Sequence, residues 1–575
     1  MSPLRFRALA LFAVALCVAP LRADDPPASP HLPREPWLVL ELRDAPALAR
    51  GLAGNAAWSS VWSAVLELSP DEGAGFAKLA PLQRALARAS GQSSLAAFGE
   101  LLGARSLYWI EGVDEWLVEL APSDPRLVAR ALLEIDRELR LWPGTPELEE
   151  FRCGDAPGWS VGPHFHLLRA GPHFLVAPRR ELVERAYRRG LEVEPRSTSD
   201  VDLAAAAGAT LWIDGGLVRR SDGVVALPET LREPMANLLF GTYLAPLLRE
   251  KPLRIELSWS EDLAMLRGEA HAGDTRELEP YWRALGAPPV PAFAVPSFAS
   301  ASGYLGRVRL QRDWARWWRE KDARWSEAGR AGIRDLEQLL ALLLKGEDFA
   351  DALADVEGPL ELLFVEPRFE GTAVPAHRYP AAVLVIGLAE AERGEVFERG
   401  FRTLLGISNA ERVKRGFSTM KSSAAEEGGF RVVRSRWEED APELTRVEGN
   451  LSPAFARCAH VAVFATSQQA LDAALQVLRA VSHEGDGAQA PMAFAGDLLE
   501  LDGRALARLL ETNREALVFA RALDEGEELE RAETKIEALL AISRALEQLR
   551  LSLRLDEERA RVELAFELEL VGGTR

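Results

Sequence analysis

Cysteine is scarce in this chain of 575 residues, with three in all, at Cys17, Cys153 and Cys458. So few thiols exclude a disulfide framework as the source of stability, and a chain of this length buries enough surface to fold without one. Positive charge is also short: 68 Lys and Arg stand against 87 Asp and Glu, for a formal net charge of -19. An acidic surface repels phosphate backbones, so nucleic acid is not expected as a partner. Past the first residues no stretch reaches about 18 uninterrupted apolar residues, so no transmembrane segment is expected after the N-terminal leader is removed. Signatures of catalysis are missing as well. There is no Gly-x-Ser-x-Gly elbow, no Walker-type phosphate loop and no His-Glu-x-x-His pair. Ser482, His483 and Glu484 are adjacent in a Gly-rich stretch, whereas a triad is assembled in space from separate segments. The sequence assigns no catalytic residue, no cofactor-binding residue and no metal ligand.

What is present begins with an export signal. Residues 1–23 read as a secretory signal peptide: Arg5 and Arg7 give a positive start, 8–21 an apolar core too short to span a bilayer, and Leu21, Arg22 and Ala23 a cleavage site. Residues 24–36 are Pro-rich and read as a spacer. The expected location is therefore periplasmic or extracellular. There, pairing of Cys153 with Cys458 and two isolated thiols are both open. The whole chain is 48% hydrophobic and 27% charged, the profile of a packed globular protein, and is long enough for two to four domains.

The most informative positive feature is an internal duplication. Residues 37–273 and 301–575 run through the same strand and helix signals in the same order, with the Pro-rich segment 274–300 as a linker. Each half opens on an alternating strand that ends in Asp and enters a helix, at Asp44 and at Asp313, where the carboxylate suits a helix N-cap. Asp502 marks a third such junction. A hairpin ahead of a helix follows in each half (98–139 and 349–405), then a second (159–189 and 430–480), then a strand, a helix and a closing hairpin (209–271 and 494–570). Short turns join most neighbouring strands, which antiparallel pairing permits and parallel pairing does not. The expected class is α+β: two tandem similar lobes, each a largely antiparallel sheet with helices packed on one face. A longer hairpin loop at 367–379 belongs to the second half alone.

An opening strand from Trp37 to Asp44 running into a helix, hairpins placed ahead of helices, and a terminal helix followed by two alternating strands from Glu527 to Leu570 together resemble a group of exported bacterial proteins catalogued as domain of unknown function 3352. The resemblance spans nearly all of the chain after the leader. It implies two lobes and export, and brings no catalytic residues.

The duplication serves as a control on candidate sites, since a residue needed only by the fold tends to recur. Trp314, Trp317 and Trp318 share a helical face among Arg312, Arg316, Arg319, Lys321 and Arg324, with Trp325 a turn further on. This suggests an aromatic platform or a membrane-surface contact over 313–325, but Trp58 and Trp62 echo the pattern in the first half, which favours packing. His164 and His166 alternate on one strand with His173 across the hairpin, and no acid or Cys at ligand spacing completes a zinc site. Acidic runs at 147–150 and 524–530 suit solvated helix starts better than a catalytic carboxylate pair. Without an echo stand His164 with His166, the 367–379 loop and the two cysteines. The leading expectation is a non-catalytic exported binding or scaffold protein of the cell envelope, its partner unknown, with an apolar ligand or an envelope protein as the class. The alternatives are a cell-envelope hydrolase with a site between the lobes, and a membrane-surface protein using the Trp/Arg helix.

Overall fold

Alternation of apolar residues writes the strands, and the computed structural model of the chain shows how they pair. It describes residues 29–33, 36–68, 80–112, 115–140, 148–162, 165–192, 208–214, 252–260, 265–272, 298, 301, 303–319, 349–369, 374–438, 441–483, 496–556 and 561–571. The expected leader 1–23, most of the linker 274–300 and the helix expected within 209–271 lie outside the described residues.

The described residues fall into two compact units. The first holds those before Gly273 together with the chain end from Leu564; the second holds those from Asp274 to Glu563. The chain end, expected in the second lobe, thus belongs to the first unit from Leu564 onward.

The strands of the first unit are β1 (Leu38–Arg43), β2 (Arg105–Gly112), β3 (Glu115–Leu120), β4 (Leu148–Cys153), β5 (Ala156–Val161), β6 (Phe165–Ala170), β7 (His173–Ala177), β8 (Gly208–Asp214) and β9 (Pro252–Trp259). They form a nine-stranded sheet in the order β4-β5-β6-β7-β3-β2-β1-β8-β9. The first unit also holds β10 (Met265–Ala272) and the later part of β20 (Arg561–Leu570), which neighbour each other. The second unit has β11 (Tyr304–Leu310), β12 (Val356–Val365), β13 (Ala381–Leu388), β14 (Lys421–Glu427), β15 (Phe430–Arg436), β16 (Ala454–Arg457), β17 (Val461–Ala465), β18 (Asp497–Asp502) and β19 (Leu546–Asp556). These run β14-β15-β16-β17-β13-β12-β11-β18-β19. Position by position the two orders coincide. Pairing within these two nine-strand orders is antiparallel, which the short turns of hairpins such as β6–β7 require. The class is α+β.

Helices were expected on one face and lie on both. In the first unit α5 (Pro125–Arg140) packs Val128 and Leu132 on Leu167, Phe174 and Val176. On the opposite face α6 (Arg180–Glu192) packs Leu182 and Val183 on Leu168, Leu175 and Ala177. In the second unit α10 (Gln468–His483) sets Leu471, Leu475 and Leu478 on Val383, Val385 and Val463. The other face takes Phe401 of α9 (Ala391–Lys414) and two tryptophans of α7 (Trp314–Arg319) against Ile386, Phe455 and Ala462. The reason is compositional: in β13 both alternating sets are apolar, so both faces must leave water. Each buried leucine on these faces contributes about 2 kcal/mol.

The remaining α-helices among the described residues are α1 (Ala45–Gly54), α2 (Ala56–Leu68), α3 (Ala80–Ser90), α4 (Ser94–Leu102), α8 (Phe349–Ala354), α11 (Gly503–Thr512), α12 (Arg514–Glu525) and α13 (Leu529–Ala545). The three junction aspartates act as caps. Asp44 accepts from the Ala47 N–H at 3.0 Å, Asp313 from Arg316 at 2.9 Å and Asp502 from Ala505 at 2.7 Å. The expected spacer is also built into the fold at 29–33. Ser29 donates to Glu119 at 2.6 Å, Arg189 donates to the His31 carbonyl at 2.8 Å, and the His31 ring is buried on α6 beside Gly190, where a Cβ would overlap it.

Candidate functional site

The residues singled out by sequence are mostly absorbed by the fold. Trp314 and Trp318 are buried, the latter edge-on to Phe349 with centroids 4.6 Å apart. They are core, because α7 turns its aromatic face onto the sheet, and this removes them from any membrane-facing platform. The side chains of Trp317 and Trp62, and all of Trp325, lie outside the described residues, as does His164. His166 is buried with Nδ1 2.8 Å from the Ser160 hydroxyl. His173 sits at the other end of the β6–β7 hairpin, opposite Ala170, with Nδ1 3.1 Å from Glu119. The register therefore separates His166 from His173. Among the described residues no group of three His, Cys, Asp or Glu is placed to hold a metal ion. Cys153 and Cys458 are both free thiols, Cys153 within the first unit's core and Cys458 against the second's. In the acidic run at 524–530, Glu527 meets Lys535 and Arg521, and Glu525 meets Arg521. Glu149 and Glu150 lie exposed on β4.

Sequence reasoning missed a band of buried charge across β12, β11 and β18. Arg307 donates to Glu500 at 2.5 Å and to Glu361 at 3.3 Å; Arg309 donates to Glu361 at 2.6 Å. Tyr304 donates to Glu500 at 3.3 Å, and Arg550 lies 3.4 Å from the other Glu500 oxygen. Burial, then the Glu500 carboxylate, pushes the Tyr304 hydroxyl above its ordinary value, so it stays a donor. Every carboxylate oxygen is taken. The first unit repeats the device with Glu41 on β1 and Arg105 on β2, 2.5 Å apart. The second unit's network is closed and structural: it ties adjacent strands in register, and removal of one partner is costly; the first unit echoes it with a single pair. Arg307 and Arg309, two residues apart in β11, were the signal available in the sequence.

The 367–379 loop, without an echo in the first half, leads to a different place. Two buried asparagines hold its end. Asn450, closing the short helical turn Val447–Asn450, donates to the His377 carbonyl at 2.7 Å and accepts from the Tyr379 N–H at 2.9 Å. Asn513, between α11 and α12, accepts from the Arg378 N–H at 2.7 Å and donates to the Arg378 and Leu509 carbonyls at 2.8 and 2.9 Å. Each side-chain amide replaces a strand partner, so the loop's backbone is satisfied without a sheet. Opposite the loop, α12 is apolar on two sides. Leu517, Val518 and Ala522 pack inward with Ile536 and Leu540 of α13. Ala516, Phe519, Ala520 and Leu523 face outward, and Phe519 and Leu523 are 58% and 82% exposed.

Between loop and helix lies a cleft of about 870 Å³, entirely within the second unit. His377, Thr512 and Arg514 line it together with Glu511, Glu515 and Asp524. Arg514 is spent on Glu533 at 2.5 Å and on Glu537, and these hydrogen bonds, Glu537's first, raise its guanidinium above the ordinary value. Glu511 pairs with Arg544. Glu515 and Asp524 take no ion partner among the described residues. The Thr512 hydroxyl donates to the Arg508 carbonyl at 2.8 Å inside α11, which leaves it committed to the helix. The wall chemistry suits binding, with apolar surface flanked by carboxylates on a fixed frame.

The chain matches no protein-family model, and no curated protein or solved structure is significantly similar to it. Among the described residues no helix is long and apolar enough to cross a membrane.

Proposed function

We propose that this is an exported binding or scaffold protein of the cell envelope, and that the cleft beside α12 is where it binds. The observation that carries the reading is the second apolar face of α12, set against a loop already held by Asn450 and Asn513. A helix that buries one stripe in its own core and presents another beside a preformed cleft is arranged for a partner or ligand. Export is supported by the pattern of residues 1–23, and the two-lobed exported family by the order of elements. Native mass spectrometry of the protein purified from its own envelope, wild type beside Phe519→Asp, tests the reading. A bound species on the wild type that the variant loses is expected; the same species on both, or none on either, would count against it.

A further inference from the structure

We propose that the cleft takes a cationic amphipathic polypeptide helix, its apolar side chains seated on Phe519 and Leu523 and its Lys or Arg side chains reaching Glu515 and Asp524. The inference rests on the reading of this cleft as the binding site and adds the chemistry of the occupant. Glu515, Phe519 and Leu523 fall in one row at successive spacings of four, with Asp524 beside its end. That row covers about 13 Å of helix, which matches two to three turns of a partner laid along α12 in the helix-in-groove manner. Charge decides the sign of the occupant. Arg514, the guanidinium in the lining, is shared between two carboxylates of α13, whereas Glu515 and Asp524 are unspent. The whole chain, at -19, adds a field that draws cations and repels anions. The apolar seat supplies affinity and the carboxylates supply selection. The buried Arg307–Glu361–Arg309 band does not compete as a binding site, because its charges are matched within the sheet.

The test is fluorescence anisotropy on the full chain with two labelled peptides of about four helical turns, one amphipathic Leu/Lys sequence and its Leu/Glu counterpart. The Lys peptide is expected to bind and the Glu peptide not to. Phe519→Asp should weaken binding by about tenfold or more, although the added carboxylate would strengthen a purely coulombic contact; Leu523→Asp should act alike. Glu515→Gln with Asp524→Asn should weaken binding and flatten its dependence on salt. Equal binding of both peptides, lost in Phe519→Asp, would overturn the cationic occupant and leave the cleft as an apolar docking site. Binding of neither peptide, or binding indifferent to Phe519→Asp, would overturn both the occupant and the cleft.

Discussion

Asn513 shows how much a single side chain can organise. Its amide makes three hydrogen bonds, two to the backbone of Arg378 and one to Leu509, while 8% exposed. Asn513→Ala strands those peptide groups and is expected to cost about 2–3 kcal/mol; hydrogen exchange should show the amides of 376–379 opening more than the β13 core. Uniform protection across both would contradict this role. Neither asparagine was legible as a site residue in the sequence, because an isolated Asn in a polar stretch has no periodic signal and the loop partners lie 71 residues or more from Asn450 and 135 from Asn513. What the sequence did hold was the loop's lack of a counterpart; the apolar positions 516, 519, 520 and 523 were passed over because they sit beside a second apolar stripe on the same helix. His31 was missed for a related reason: its seat needs Gly190, and a Pro-rich stretch does not reveal a distant glycine that makes room for it.

Among the elements, strands and caps were the most readable, because alternation and a junction Asp are local signals with a local physical cause. The two-sided helix cover was also within reach, since both alternating sets of β13 are apolar, but strands that alternate, such as β11 and β15, pointed to a single covered face. Helix α9 illustrates how charge then settles a helix on its strands. Glu398 accepts from Arg402 at 2.9 Å and from Arg457 at 2.8 Å while buried. Burial raises its carboxyl, but the hydrogen bonds from Arg457 and Arg402 outweigh it, and the group sits below its ordinary value. A lowered carboxyl contributes stability above its unfolded pKa and loses it as pH falls through the folded one. Glu398→Gln should therefore cost about 1–3 kcal/mol near pH 7, and urea unfolding should find the gap closing as pH drops below about 4. A gap that persists in acid would mean that packing, and not ionisation, makes Glu398 matter.

On the scale of the whole molecule, the chain end returns to the first unit from Leu564. Phe566 packs with Leu257 of β9 and over Gly268 of β10, where a Cβ would overlap its ring, and Arg267 lies 3.0 Å from Glu567. Phe566→Ala should thus raise hydrogen exchange in β9 and β10, although those strands lie about 300 residues earlier in the chain; exchange unchanged there would place the chain end elsewhere. The repeat of strand order explains why the sequence could be read as a duplication, and the return of the final strand is the kind of long-range pairing that no local pattern encodes. Function at this scale reduces to whether the outer face of α12 is kept open for a partner or is needed by the fold. Thermal unfolding of the full chain carrying Phe519→Asp and Leu523→Asp together measures that directly. Because both side chains are largely exposed, the midpoint is expected within about 2 °C of wild type; a fall of about 8 °C or more would show that the face is structural and contradict a binding role.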